Sequence, residues 1–401
     1  MSDVDVLREG EPSEVAMDPA RVEMARQLLR SHVEDGSTPT LVAVVARHGV
    51  IVLAEALGQR GPGMGPVQLD DPTNVASISK SITAALVMMF AEDGVLSINR
   101  PVVDYLPDMP REGNDRILLS HLLTHTSGFD SEVLKAASME RVKSGEYSPC
   151  PEGVDLMTHL MLVTNWDTPR SWDVGSRMNY CNLNFSLLGE VLRRVSGASL
   201  DALARRRLFE PLGMVNSGFV LDDAQARRRI RRGTDVPGGQ ALIFDDYWLP
   251  GFETPEFAEM QDGAGGLKTS ASDVAIFGQM LLNAGRYGEA KVLSAASVAA
   301  MMRNQTPGIP VDIFGQYHPE SGWGYGLSVN VGEKWAHWRG GLNSIGSVGH
   351  GGSGGSIFSI DPVTGVNIVV LEIATRMNEY GEAPSCVADR FESVIYSSLV
   401  D

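Results

Sequence analysis

The sequence predicts an α+β protein in which a single antiparallel sheet with flanking helices is assembled from the two ends of the chain, with a mostly helical lobe between them. Three observations lead there. Runs rich in Val and Ile, at the length and spacing of strands, occur near both termini. The middle of the chain carries apolar residues at helical spacing instead. A length of 401 residues can bury more than one core. The expected division is a discontinuous sheet lobe of residues 1–75 and 262–401 and a helical lobe of residues 76–261, with a site in the cleft between them.

Taken in order, "DPARVEMARQLLRSHVEDG" places Val22, Met24, Leu28 and Leu29 on the apolar side of a helix that Gly36 stops. "TLVAVVARHG" and "VIVLAEALG" read as two strands joined by a tight turn at His48-Gly49. A Gly/Pro-rich loop, "GQRGPGMGPVQLDDP", follows. "SISKSITAALVMMFAEDG", "ILLSHLLTHTSG" and "NLNFSLLGEVLRRVSG" are helical in pattern. After "GAGGLKTSASDVAIFGQMLLNAG", the runs "WGYGLSVNV", "SVGHGGSGGSIFSID" and "VNIVVLEIA" read as strands, and "SCVADRFESVIYSSLV" closes the chain as a helix.

Composition excludes several classes of function. A formal charge of −17 repels phosphate backbones, so nucleic acid is not an expected partner; the Arg-rich "ARRRIRRG" at 226–233 reads as a solvated face or loop. Cys150, Cys181 and Cys386 are too few and too scattered for a disulfide framework, which fits a reducing compartment. The acidic start "MSDVDVLREGEPSE" has no apolar signal region, and the run "ITAALVMMFA" is far shorter than the roughly 20 residues that span a bilayer. A cytoplasmic protein without membrane partners is expected.

Three short motifs carry chemistry. In Ser77-Ile78-Ser79-Lys80, residues at i and i+3 share a helix face, so the Lys80 amine can approach the Ser77 hydroxyl. The competing reading is a serine that caps a helix beside a solvated lysine. Against it, a lysine in a first turn opposes the helix dipole at a cost of roughly 0.3 to 1 kcal/mol. A serine nucleophile needs a base, and a lysine of ordinary pKa, about 10.4, must be lowered or must share its proton. Tyr180, in Tyr180-Cys181-Asn182 just before a helix, is the candidate partner, able to ionise or to relay a proton, while the Asn182 amide can bind a substrate oxygen and orient Lys80. "GHGGSGG", His350 to Gly355, is a Gly-rich strand able to offer a backbone N–H to a developing oxyanion.

In this order the three motifs resemble those of the serine β-lactamase and penicillin-binding protein superfamily, nearest its class C β-lactamase-like branch, which includes family VIII carboxylesterases, D-amino-acid peptidases and acyltransferases. "LLTHTSGF" at 122–129, "YCNLNFSLLGEVLRRVSG" at 180–197, "LFEPLGMVNSGF" at 208–219 and "GAGGLKTSASDVAIFG" at 263–278 extend the likeness to roughly residues 20 to 400. The resemblance implies a β-lactamase/transpeptidase-like fold, with Ser77 as acylated nucleophile, Lys80 as its proton acceptor and Tyr180 as second acid/base. It places Asn182, His350, Gly351 and Gly352 against substrate and assigns the oxyanion to the N–H groups of Ser77 and Ser353. No metal or organic cofactor is expected, and the partner is a small ester or amide.

One departure matters. Where β-lactamases and transpeptidases of this superfamily carry Lys-Thr-Gly or Lys-Ser-Gly, this chain has His350-Gly351-Gly352. A permanent cation attracts a substrate carboxylate, whereas a histidine of ordinary pKa, about 6.5, is mostly neutral at pH 7 and above. The expected activity is therefore that of a carboxylesterase, with β-lactamase, D-peptidase or acyltransferase as the same-scaffold alternatives and a non-catalytic acylation sensor as the alternative outside enzymes. The aromatic stretch "FDDYWLPGF", 244–252, offers Trp248 as a wall for the acyl group. Four look-alikes are set aside. "GGSGG" matches Gly-x-Ser-x-Gly but has no histidine after Ser353; Lys143-Ser144-Gly145 precedes Tyr180 in the chain; His121 and His125 have metal-pair spacing without further ligands; Tyr396-Ser397-Ser398 lies in the terminal helix.

Overall fold

A computed structural model describes residues 6–61, 63–144, 162, 168–231, 260–313, 316–320, 322–332, 341–373 and 387–400. The chain opens with a short strand β1 (Arg8–Glu9), helix α1 (Pro19–Glu34), and the hairpin β2 (Thr40–Arg47) and β3 (Val50–Gly58). The hairpin turn is the predicted one: His48 and Gly49 both take positive φ, 48° and 79°, the backbone that matches the twist of a two-residue connection. Helices α2 (Ser79–Glu92) and α3 (Asn182–Ser196) belong to the middle of the chain, and α4 (Ala271–Leu282) follows. Four strands and a helix complete it: β4 (Ser328–Val329), β5 (Val348–Gly352), β6 (Ser356–Asp361), β7 (Val366–Glu372) and α5 (Ala388–Tyr396).

Strands from both ends form one seven-stranded sheet in the order β1-β3-β2-β7-β6-β5-β4, antiparallel except where β1 meets β3. The central pairing, β7 against β2, joins residues more than 300 positions apart, such as Val369 to Val44. Strand alternation distributes the apolar side chains between two faces. Leu41, Ala43, Val45, Ile368 and Val370 pack with Val22, Ala25 and Leu29 of α1 and Phe391 and Ile395 of α5. Val42, Val44, Phe358, Val369 and Leu371 pack with Val274, Phe277 and Leu281 of α4, in a core that continues to α2 and α3. Helices cover both faces, so β2 and β7 are buried along their whole length.

Two expectations are corrected. Met24 is exposed, because the buried stripe of α1 runs through Val22, Ala25, Leu29 and His32. "WGYGLSVNV" is not one strand: Ser328–Val329 alone joins the sheet. Ahead of it the chain turns at Gly324 and Gly326, where a Cβ would meet Met301 O at 2.0 Å and the Ala84 Cβ at 2.4 Å. That close approach needs glycine and turns Trp323 into the core, fully buried.

Candidate active site

Ser77 sits on a sharp turn. Thr73–Asn74 pairs with Lys268–Thr269, and the Asn74 Oδ1 then accepts the Ala76 N–H at 2.8 Å. Ala76 is held at φ 46°, a left-handed angle uncommon for a residue with a Cβ. Ser77 follows in a 3₁₀ turn, Ala76–Ile78, and α2 begins at Ser79. The capping alternative therefore fails, since the residue that precedes α2 is Ile78 and no side chain caps the helix there. The whole of α2 from Ser79 to Phe90 is buried. Its polar side chains reach distant carbonyls, Ser81 to Gly326 O at 2.8 Å and Thr83 to Gly263 O at 2.9 Å.

Lys80 is buried with the rest of α2, and its amine meets three oxygens: Ser77 Oγ at 2.9 Å, Asn182 Oδ1 at 2.8 Å and the Ala264 carbonyl at 2.8 Å. Burial lowers its pKa from the ordinary lysine value to about 7, against an opposing pull from Asp262 and Cys181. Tyr180 precedes α3, with its ring centroid 4.9 Å from Lys80 Nζ and a side-chain hydrogen bond to Ser77. Burial raises its phenol pKa well above the ordinary value, and the bond to Ser77 lowers it only partly. A phenol raised in this way keeps its proton at rest. Cys181 faces no such use: burial pushes its thiol up to about 12.

The third motif lies on β5, as expected. His350 is buried; its Nδ1 donates to Gly351 O at 2.6 Å, and its ring lies 6.0 Å from that of Tyr180 and 5.6 Å from that of Trp323. Gly352 explains the glycines. A Cβ there would stand 2.3 Å from Val75 O, so only glycine lets this strand lie against the turn that carries Ser77. Gly351 is partly exposed between them, and Ser353 opens the turn 353–355 with Gly354 at φ 90°. Ser77, Lys80, Tyr180, Asn182 and His350 are thus brought together, while Trp248 lies outside the described residues.

The look-alikes separate on geometry. After Ser353 comes strand β6 rather than a helix, Lys143 and Ser144 end the helix Ser131–Ser144, and Tyr396 ends α5. His121 accepts the Leu118 N–H at 3.1 Å. Three contributors to the site escaped the sequence reading: the Ala264 carbonyl, the Trp323 indole and the His125 ring, which stacks 4.5 Å from Tyr180. The first lies in the quoted block "GAGGLKTSASDVAIFG", whose glycines are the signal of close backbone approach; a Cβ on Gly263 would stand 2.6 Å from Phe185 O.

Comparison with known proteins shows the family. The Beta-lactamase family model matches residues 25–385, and the chain belongs to that family. Esterase EstB of Burkholderia gladioli is 33% identical over 216 residues, 49% of this chain and 54% of the esterase, so the chain spans about half the length of that relative. Penicillin-binding protein 4 of Amycolatopsis lactamdurans is 28% identical over 288 residues, 69% of this chain and 67% of that protein. Among solved structures, a family VIII carboxylesterase superposes with a TM-score of 0.72 at 21% identity, over 96% of this chain and 99% of that one. The fold is the β-lactamase/transpeptidase fold, and the class to which it belongs is that of serine hydrolases.

Proposed function

We propose that the protein is a carboxylesterase that cleaves small uncharged esters through an acyl-enzyme on Ser77. One observation carries this reading. Of the three oxygens around the Lys80 amine, Asn182 Oδ1 and Ala264 O can only accept hydrogen bonds, so they take two N–H bonds. In the neutral amine the remaining direction, toward Ser77 Oγ, is the lone pair. Lys80 is therefore oriented to receive the Ser77 proton, and with a pKa of about 7 it is free to do so near neutral pH.

In the proposed reaction Ser77 Oγ attacks the ester carbonyl as its proton passes to Lys80 Nζ. The tetrahedral oxyanion is held by the N–H groups of Ser77 and Ser353. Tyr180, hydrogen-bonded to Ser77, donates its proton to the departing alkoxide and recovers one from Lys80. Water then attacks the acyl-Ser77 ester, gives its proton back along the same relay, and releases the acid. His350 bears on substrate choice: the superfamily motif that this stretch resembles has a lysine where this chain has His350, a cation suited to a substrate carboxylate, and uncharged esters do not need one. The likeness to EstB supports the esterase reading, and the proposal takes the site to lie in the cleft between a sheet lobe and a helical lobe; among the described residues no helix is long and apolar enough to cross a membrane.

A kinetic panel of p-nitrophenyl esters of graded length, nitrocefin and a D-Ala-D-Ala peptide tests the proposal. Short esters should lead by kcat/KM. Nitrocefin turned over as efficiently as p-nitrophenyl acetate would replace the esterase reading with the β-lactamase one, and acylation without turnover would make the protein a sensor.

A further inference from the structure

His125 lies 55 residues before Tyr180 and is fully buried beside it. We infer that His125 is a positioning residue for Tyr180, clamping the Tyr180-Cys181-Asn182 segment through hydrogen bonds on both sides of the tyrosine and a ring contact on the tyrosine itself. The inference rests on the reading of Tyr180 as the acid/base partner of Ser77.

The geometry is specific. The Asn179 N–H donates to the His125 carbonyl at 2.9 Å, and the Cys181 N–H donates to His125 Nδ1 at 3.2 Å. Between these two bonds the Tyr180 ring lies 4.5 Å from the imidazole, tilted by 37°. A second donor fixes the tautomer. Ser127 Oγ donates to Asn184 Oδ1 at 2.7 Å, which leaves the Asn184 NH₂ facing His125 Nδ1 at 3.1 Å. With two N–H groups aimed at it, Nδ1 holds a lone pair, and the ring proton is on Nε2. Burial, with Lys80 and His350 nearby, keeps the imidazole far below its usual pKa, so it stays neutral as the clamp needs. The backbone contributes as well: His125 follows Thr124, the C-cap of the helix Leu119–Leu123, at φ 57°, and its carbonyl and ring both meet the same segment. Asparagine tolerates that angle better than most side chains and carries an acceptor near the position of Nδ1.

The test compares His125→Phe, which keeps a ring and removes the acceptor, with His125→Asn, which keeps an acceptor and removes the ring. On p-nitrophenyl acetate, His125→Phe should lower kcat about 10²-fold with KM nearly unchanged, the scale of an ångström of misplacement at a reacting group. His125→Asn should recover most of that loss. Because the residue acts through Tyr180, His125→Phe should cost less than about threefold once Tyr180→Phe is already present. Wild-type kcat in a folded His125→Phe, or a loss that persists undiminished in the Tyr180→Phe background, overturns the inference. If His125→Phe does not fold, His125→Gly accepts the same backbone angle and leaves an imidazole-sized space; its rate should rise with added imidazole, and no rise overturns the inference. Labelling of Ser77→Ala by an acylating probe would instead overturn the active-site reading, which keeps the two failures apart.

Discussion

Lys80 and Lys268 are both fully buried, and both donate to oxygen atoms, yet those oxygens differ in kind. Lys268 donates to the main-chain carbonyls of Phe219 at 2.6 Å and Met260 at 3.3 Å, while its own strand pairs with Thr73–Asn74 ahead of the nucleophile. Carbonyls can only accept, and those bonds brace one segment against another. Lys80 has one partner of a different kind, the Ser77 hydroxyl, which can give up a proton. Burial is common to both residues; the Ser77 hydroxyl beside Lys80 carries an exchangeable proton, and the carbonyls of Phe219 and Met260 carry none. The proposed base is a buried lysine that faces a hydroxyl; the sequence places Ser77 beside Lys80 but does not show the burial.

Removing Lys80 or the serine that it faces sharpens that comparison most. Lys80→Ala should lower kcat by about 10² to 10⁴, the range for a positioned acid or base, in a protein that still folds. Ser77→Ala should abolish both turnover and covalent labelling by an acylating probe, read by intact mass. A Lys80→Ala enzyme with near wild-type kcat would make the two lysines equivalent and end the distinction.

A lysine introduced at a third buried position comes next. His350→Lys supplies a permanent cation able to pair with a substrate carboxylate, and a charge-assisted hydrogen bond is worth roughly 1.5 to 3 kcal/mol. Nitrocefin turnover relative to p-nitrophenyl butyrate should therefore improve about ten- to a hundredfold, or somewhat more. An unchanged ratio, together with efficient nitrocefin hydrolysis by the wild type, would remove His350 as the specificity determinant.

The pH profile tests Lys80 without mutation. Its folded-state pKa is lowered to about 7, so the neutral base is scarce below that pH and abundant above it. The kcat/KM for an uncharged ester should rise about tenfold per unit toward pH 7 and level off above it. A flat profile from pH 5 to 8 would point to another base.

Lys268→Met should have the smallest effect on catalysis, within about twofold in kcat/KM, because the Phe219 and Met260 carbonyls that it donates to have no proton to exchange with substrate. The two carbonyls lose a donor, so urea unfolding should show a loss of about 1 to 3 kcal/mol. A large loss of kcat with stability intact would assign Lys268 a part in the reaction.

Much of the site was legible because it is local. Ser77 and Lys80 are three residues apart, and the turn of a helix brings them together whatever the rest of the chain does. Tyr180 and Asn182 flank one residue at a helix start, and β2 and β3 are joined by two residues whose types permit the turn. Local geometry of this kind is encoded within a few positions and survives in a sequence read alone.

Other features depend on segments that meet only in the folded chain. The sheet order is set by β7 pairing with β2 across more than 300 residues. The lowered pKa of Lys80 comes from everything that covers α2, and its third partner, the Ala264 carbonyl, is 184 residues away. His125 has the spacing of an ordinary helix residue and gains its contact with Tyr180 through a left-handed backbone angle that no pattern announces. The sequence by itself determined which side chains the chemistry has available, because spacing along a helix or turn is a short-range property. Tertiary structure alone decided how far Lys80 is desolvated and how the tyrosine is held, because desolvation and hydrogen-bond direction depend on neighbours brought in from the rest of the chain.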